Sequence, residues 1–126
     1  MNLIELLHIK TELLTPDKVI LSMEITPEMQ QPFGLMHGGI SCVLAETAAS
    51  MGANENLDTN KQVAVGLDIQ TTHLRPVKLG LITAEAISVK IGHQTQTWNV
   101  KIFHNKRQIS ESNVNLFNQT LTNNYN

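Results

Sequence analysis

One carboxylate stands alone in an apolar stretch of the chain. Glu46 is the single charged residue between Gly38 and Ala53, and the residues around it are small or apolar. Taking a carboxylate out of water is costly unless something compensates it, so such a residue favours chemistry over packing. Composition alone leaves the alternatives open: a satisfied buried carboxylate, or an exposed one on a helix less buried than its pattern indicates.

The spacing of apolar residues predicts a helix over residues 38–53. One face of that helix carries Ile40, Val43, Leu44, Thr47, Ala48 and Met51. The opposite side is small, so we expect the helix to be buried nearly all round. Glu46 and Ser50 lie one turn apart on the flank, and the helix begins at Gly38 and Gly39, where free N–H groups are available to a developing negative charge. Together these features predict an acyl-transfer site.

Two further residues near this helix have side chains that can be either reactive or structural. His37 precedes the glycine pair and is either catalytic or structural, since a lone histidine beside a turn has both uses. Cys42 lies in the middle of the helix without an evident histidine partner, so we interpret it as a buried structural thiol. A single cysteine excludes a disulfide framework and indicates a reducing compartment.

Length and charge narrow the class of protein. The 126 residues fit one domain, residues 1–126, whose burial would gain from oligomerisation. Nine basic and eleven acidic residues give no basic patch, which disfavours nucleic acid and anionic membranes as partners. No signal peptide and no membrane-length apolar run is present, so we expect a cytoplasmic protein. The five histidines lack metal-ligand spacing, and the polar residues 118–126 are expected to fray.

The rest of the chain is predicted to form strands around the helix. A turn at Pro16 and Asp17 separates two strands of a hairpin, and a polar linker at 54–62 follows the helix. Alternating apolar residues then predict a long strand that Pro76 ends. The predicted strands are 6–14, 19–25, 63–75, 79–91, 95–104 and 108–117. This order predicts an α+β fold in which an antiparallel sheet wraps around a central helix.

Several motifs resemble the hotdog-fold acyl-CoA thioesterases. The resemblance is to the branch that includes phenylacetic-acid-degradation, 4-hydroxybenzoyl-CoA and 1,4-dihydroxy-2-naphthoyl-CoA thioesterases. It covers residues 6–117 and rests on the motifs Gln31-Pro32-Phe33-Gly34, His37-Gly38-Gly39, Ala45-Glu46-Thr47, Val65-Gly66-Leu67-Asp68 and His73-Leu74-Arg75. It implies a hotdog fold and hydrolysis of an aryl or medium-chain acyl-CoA thioester to free acid and coenzyme A.

The resemblance also implies roles for five residues. Glu46 matches the catalytic carboxylate, which acts either as a nucleophile or as the base that activates water. The N–H of Gly38 matches the donor that polarises the thioester oxygen. Gln31 and His37 match side chains that orient substrate and water, and Ser50 matches a hydroxyl that holds the hydrolytic water.

Substrate contacts and assembly follow from the same resemblance. It implies a homodimer or homotetramer in which one chain supplies Gln31, His37 and Gly38 and its partner supplies Glu46 and Ser50. Coenzyme A is expected only as part of the substrate, with no other cofactor and no metal. The residues implied for coenzyme contact are His73, Arg75, His93 and Gln94, and those for the acyl group are Phe33, Leu35, Met36 and Met51. By comparison with the family, we expect the chain to lack most of the N-terminal helix that helps cover the acyl pocket.

Two other functions remain open at this point. A non-catalytic acyl-CoA sensor would use the same fold to bind ligand without turnover. A dehydratase or hydratase acting on acyl carrier protein shares the fold, but the Gln31-Pro32-Phe33-Gly34 entry fits thioesterases better. The acyl group, the pathway and the choice between dimer and tetramer are not contained in the motifs.

Overall fold

A six-stranded antiparallel sheet wraps around one long helix. The computed structural model describes residues 1–122. Its elements are α1 (Leu3–Leu6), β1 (Lys10–Leu14), β2 (Lys18–Ile25), a short 3-10 turn (Pro27–Met29), α2 (Gly38–Asn54), β3 (Gln62–His73), β4 (Gly80–Ile91), β5 (Thr95–His104) and β6 (Arg107–Thr120). The strand order is β1-β2-β4-β5-β6-β3. The predicted α+β hotdog fold is confirmed.

The N-terminus differs from its prediction. Instead of a strand from residue 6, the chain forms the short helix α1, whose N-cap Asn2 accepts a hydrogen bond from the Glu5 N–H at 3.0 Å. The chain then reverses at His8, which has a positive φ of 54°, before β1 begins at Lys10. An apolar run this short fits both helix and strand, and the Asn2 cap favours the helix.

Helix α2 is buried on one side in the protomer. The buried residues are Ser41, Leu44, Ala45, Ala48, Ala49, Gly52 and Ala53. The prediction of burial nearly all round is wrong for the single chain, because the sheet covers most of the small-residue side and, of the apolar stripe, buries only Leu44 and Ala48. Glu46 is exposed, and Val43, Thr47 and Met51 are half-buried.

A tryptophan fixes the distance between α2 and the sheet. Trp98 is fully buried, and its ring lies so close to Gly52 that a Cβ there would overlap it. Trp98 Nε1 donates to Gln96 Oε1 at 3.1 Å, and Gln96 Nε2 donates to the Ala53 carbonyl at 3.0 Å. The buried indole and the end of the helix are thus satisfied together, and Trp98 serves the core as predicted.

Strand β3 lies at an edge of the sheet and carries a β-bulge. Its pairing with β6 shifts register between Gly66 and Asp68, so Leu67 is an extra residue and is 57% exposed. The sequence predicted one shared face for Val63, Val65, Leu67 and Ile69. The bulge breaks that alternation, because one inserted residue moves all later side chains to the other face. Ala64 and Gly66 face α2 before it, and Thr71 faces α2 after it.

The C-terminal strand is longer than predicted. Residues 118–120 belong to β6, so the expected fraying is wrong for them; residues 123–126 lie outside the described residues. Asn118 is 5% exposed, its Nδ2 donates to the Gly92 and His93 carbonyls at 3.1 Å each, and its N–H donates to the Gln94 carbonyl at 2.8 Å. The polar composition of these residues did not predict a strand. Asn118 is buried there because its side-chain amide is hydrogen-bonded to a neighbouring turn.

Nowhere in residues 1–122 does a helix have the length and apolarity to cross a membrane.

Candidate active site

The start of α2 presents backbone donors. His37 is the N-cap, and its Nδ1 accepts a hydrogen bond from the Gly39 N–H at 2.9 Å. The Gly38 N–H has no acceptor within residues 1–122. A free N–H in the first turn, at the positive end of the helix dipole, is suited to an oxyanion.

The loop before α2 is held by its own backbone and by the segment after β3. Gln31 N–H donates to the Leu35 carbonyl at 2.7 Å, and the Gln31 side chain accepts from the Phe33 N–H. Met36 N–H donates to the Val77 carbonyl at 2.7 Å. These bonds fix Gln31 beside the helix start.

A cavity of about 360 Å³, the helix-start cavity, unites six of the predicted residues. They are Gln31, Gly38, His73 and Arg75, together with Leu35 and Met36 from the predicted acyl contacts. The full lining is Gln31, Leu35, Met36, Gly38, Ser41, His73, Leu74, Arg75, Pro76, Val77 and Ile109. Two elements distant in sequence, the start of α2 and the end of β3, therefore form one recess.

His73 and Arg75 reach this cavity in different ways. The predicted strand 63–75 would put both on one face, because they are two residues apart, but β3 ends at His73. The N–H groups of Leu74 and Arg75 both donate to the Ile109 carbonyl, at 2.8 and 3.2 Å, so the chain bends there. The guanidinium of Arg75 donates to the Gln108 carbonyl. Arg75 is thus positioned by the bend rather than by strand alternation.

Ser41 is a cavity residue that the sequence analysis did not single out. It is fully buried, lines the helix-start cavity, and its hydroxyl has no partner within residues 1–122. Ser110, opposite His73 on β6, is buried with an unpartnered hydroxyl as well. Buried hydroxyls are normally hydrogen-bonded, so Ser41 is available to a polar ligand. The available signal was a hydroxyl one turn before Ala45 on the small-residue side.

The second recess, the carboxylate cavity, has a volume of about 480 Å³ and lies along the exposed flank of α2. Its lining is Leu3, Ile4, Val43, Glu46, Thr47, Ser50, Met51 and Asn54. It brings Glu46, Ser50 and Met51 together, and α1 supplies the apolar wall opposite.

Only part of the polar lining of the carboxylate cavity is free. Thr47 Oγ1 donates to the Val43 carbonyl at 2.7 Å. Asn54 Nδ2 donates to the Ser50 carbonyl at 2.9 Å, while its Oδ1 accepts from the Ala64 N–H at 2.8 Å. The Glu46 carboxylate and the Ser50 hydroxyl have no hydrogen-bond partner in the described part of the chain.

Glu46 lies against strand β3. A Cβ built on Gly66 would overlap its Oε1, and Cδ would be 3.2 Å away. Gly66 is a second residue that the sequence analysis did not place at the site, although it stands in one of the motifs that carry the resemblance. Its signal was a glycine inside an otherwise regular strand.

The remaining predicted residues do not join either cavity. Phe33 is 89% exposed, and His37 is exposed as the N-cap. His93 and Gln94 form the turn between β4 and β5, which Asn118 ties to the sheet near the C-terminal end of α2. Helix α2 has 17 residues and is therefore about 25 Å long, so this turn and the helix-start cavity lie near opposite ends of it.

The two cavities share no lining residue in the protomer. Gln31 and Gly38 line one, and Glu46 and Ser50 line the other. A single chain therefore holds two separate halves of the predicted constellation.

Elsewhere in residues 1–122, titratable groups form no second centre. Within residues 1–122, no three His, Cys, Asp or Glu side chains come together as a metal ion would need. On β6, hydrogen bonds from Gln108 and Asn99 lower the pKa of the Glu111 carboxyl below its usual value. The Glu111 carboxyl lies outside both cavities, and the amide side chains of Asn99 and Gln108 are its hydrogen-bond partners.

Comparison with known proteins defines the class. The profile of the thioesterase superfamily matches residues 33–111, so the chain belongs to that superfamily and is a thioester hydrolase. It is 40% identical over 102 residues to a 1,4-dihydroxy-2-naphthoyl-CoA hydrolase of Listeria monocytogenes, covering 81% of this chain and 82% of that protein.

Solved structures agree with the fold. A variant of the thioesterase SAV0944 from Staphylococcus aureus superposes with a TM-score of 0.92 at 30% identity, covering 94% of this chain and 99% of that one. The thioesterase HI1161 of Haemophilus influenzae gives a TM-score of 0.88 at 32% identity, covering 98% and 86%.

Proposed function

We propose that this thioester hydrolase cleaves an aryl or medium-chain acyl-CoA, with the Glu46 carboxylate as nucleophile or general base. The observation that carries the proposal is the pair of free groups on one flank of α2, the Glu46 carboxylate and the Ser50 hydroxyl. The name of the Listeria monocytogenes relative, an aryl-CoA hydrolase, supports the same substrate class.

We propose further that the working site forms between two copies of the chain. Strand β3 is an edge strand of twelve residues, and such an edge leaves a row of backbone groups open to pairing. In an antiparallel pair of β3 strands about a two-fold axis, the His73 end of one strand runs past the Gly66 region of the other. That arrangement brings the helix-start cavity of one protomer towards Glu46 of its partner.

The chemistry then divides between the two halves. Glu46 attacks the thioester carbonyl carbon, or takes a proton from a water that attacks it, and the C=O electron pair moves to oxygen. The Gly38 N–H donates to that oxyanion. Collapse breaks the C–S bond and releases the coenzyme A thiolate. If Glu46 acts as the base, the thiolate takes up the proton that Glu46 accepted from water. If Glu46 is the nucleophile, the acyl group is left on Glu46 as a mixed anhydride, and water hydrolyses it to the free acid, restores the carboxylate and supplies the proton for the thiolate. Ser50, one turn from Glu46, holds the water, and Gln31 orients the carbonyl.

The acyl group is assigned to the carboxylate cavity. Its apolar wall consists of Leu3, Ile4, Val43 and Met51. A volume of about 480 Å³ lies in the range of small-molecule sites and suits a ring system or a medium-length chain. His73 and Arg75 at the other recess are assigned to the coenzyme end.

We place the protein in the cytoplasm, where the single thiol stays reduced.

A hydrolysis screen tests this function. Purified protein is given a panel of aryl- and fatty acyl-CoA thioesters, and release of free thiol is followed with a chromogenic disulfide. We expect the wild type to hydrolyse one class of acyl-CoA thioester and the Glu46→Gln variant to hydrolyse none. Tight binding of acyl-CoA without thiol release by the wild type would instead identify a sensor, and turnover of only carrier-protein thioesters would identify a different substrate.

A further inference from the structure

Gly66 stands immediately before the β-bulge at Leu67, yet it does not use the positive φ that glycine adopts most readily. It lies within strand β3 and pairs with Leu116 on β6. Its φ is not positive, unlike those of Gly34 and Gly80. Glycine inside a strand is unfavourable relative to alanine, because it loses more conformational freedom on folding. Some other requirement must exclude a side chain at this position.

The surroundings of Gly66 identify that requirement. The three atoms nearest to a Cβ built there all belong to Glu46: Oε1 would overlap it, Cδ would be 3.2 Å away and Cγ 3.9 Å away. Gly52 shows the contrast, since its nearest atoms belong to Trp98 and Val19 in the core. A glycine that makes room for core packing stabilises the fold, whereas Gly66 makes room for an exposed carboxylate.

We propose that Gly66 is a positioning residue that keeps open the space occupied by the Glu46 carboxylate at the edge of the sheet. The proposal rests on the proposed role of Glu46 in hydrolysis. Because the end of a glutamate side chain can rotate, a methyl group at residue 66 would displace the carboxylate rather than unfold the chain. Misplacing a reacting group by about 1 Å lowers turnover about 10²-fold.

The test is the single variant Gly66→Ala with a rescue. We expect kcat for the acyl-CoA substrate found in the screen to fall about 10- to 100-fold, while KM stays within about threefold. Glu46→Asp withdraws the carboxylate by one methylene and lowers activity by itself. In that background Gly66→Ala should cause no further loss, because interacting residues are non-additive. Val65→Ile, which adds a methyl group on the other face of β3, is the matched control and should keep wild-type kcat.

The outcomes separate this inference from the proposed function. If wild type turns over and Glu46→Gln does not, yet Gly66→Ala keeps its kcat, the positioning role is wrong and the function stands. If wild type has no thioesterase activity, crystal structures of wild type and Gly66→Ala still decide the contact: an unmoved carboxylate overturns the inference. If Gly66→Ala fails to fold, the double variant with Glu46→Ala must restore folding, or the inference is overturned.

Discussion

The imidazole of His73 lies over Gly38, close enough that a Cβ on Gly38 would come within 2.9 Å of Nε2. The end of β3 is thus in contact with the start of α2. His73 consequently lies beside the Gly38 N–H that is proposed to donate to the oxyanion. Arg75 lies beyond the bend, where its guanidinium donates to the Gln108 carbonyl. The two residues, which the resemblance grouped as coenzyme contacts, therefore line the helix-start cavity through different contacts.

Arg75→Ala should raise KM for acyl-CoA more than it lowers kcat. A guanidinium on a phosphate far from the carbonyl stabilises the ground and transition states about equally. The effect should shrink as ionic strength rises, because an exposed ion pair is screened by salt. Steady-state kinetics at low and high salt measure it. Arg107→Ala, at an exposed position, is the control, and equal constants for all three proteins would remove Arg75 from the coenzyme site.

Glu46→Ala should abolish thioester hydrolysis and leave the fold intact. The carboxylate is exposed in the protomer and makes no hydrogen bond in the described chain, so its loss removes chemistry rather than support. Removal of a general base or nucleophile lowers turnover by at least about 10²–10⁴-fold. Glu55→Ala, an exposed carboxylate at the end of the same helix, should retain activity. Near-wild-type turnover by Glu46→Ala would exclude it from catalysis.

Gly52→Ala should destabilise the protein. In an exposed helix interior this change stabilises by about 0.5–1 kcal/mol, because alanine is the better helix former. Here the new methyl group would overlap the Trp98 ring and lie 2.9 Å from Val19 Cγ2. We expect a loss of about 1–3 kcal/mol, typical of overpacked cores, in chemical or thermal unfolding. An unchanged or raised midpoint would show that the ring has room to move.

Most of the framework could be predicted from sequence because it depends on short-range patterns. The 3.6-residue spacing and the glycine pair fixed α2 to within one residue of its observed end at Asn54. Turn residues separated the strands in the correct order. The bulge at Leu67 was not predictable, because one inserted residue leaves the apolar alternation intact in the sequence while reversing it in space.

The burial of α2 shows a different limit. The stripe that includes Val43, Thr47 and Met51 reads as core, yet these residues are only half-buried in one chain. A sequence pattern does not say how much of an apolar stripe the protomer's own sheet covers. The contact between Glu46 and Gly66 was equally hidden, since the two residues lie on different elements and only the fold brings them together.

The most direct test of the shared site is complementation between inactive chains. Chains with Gln31→Ala and chains with Glu46→Ala, carrying different tags, are co-expressed and the hybrid dimers are isolated. Each hybrid should contain one intact site and show about half of wild-type kcat per dimer, as two-fold symmetry requires. Both parental homodimers should stay inactive. Wild-type protein carrying the same tags is assayed separately as the positive control. If that control is active and the isolated hybrids release no thiol, a site built from two subunits is contradicted.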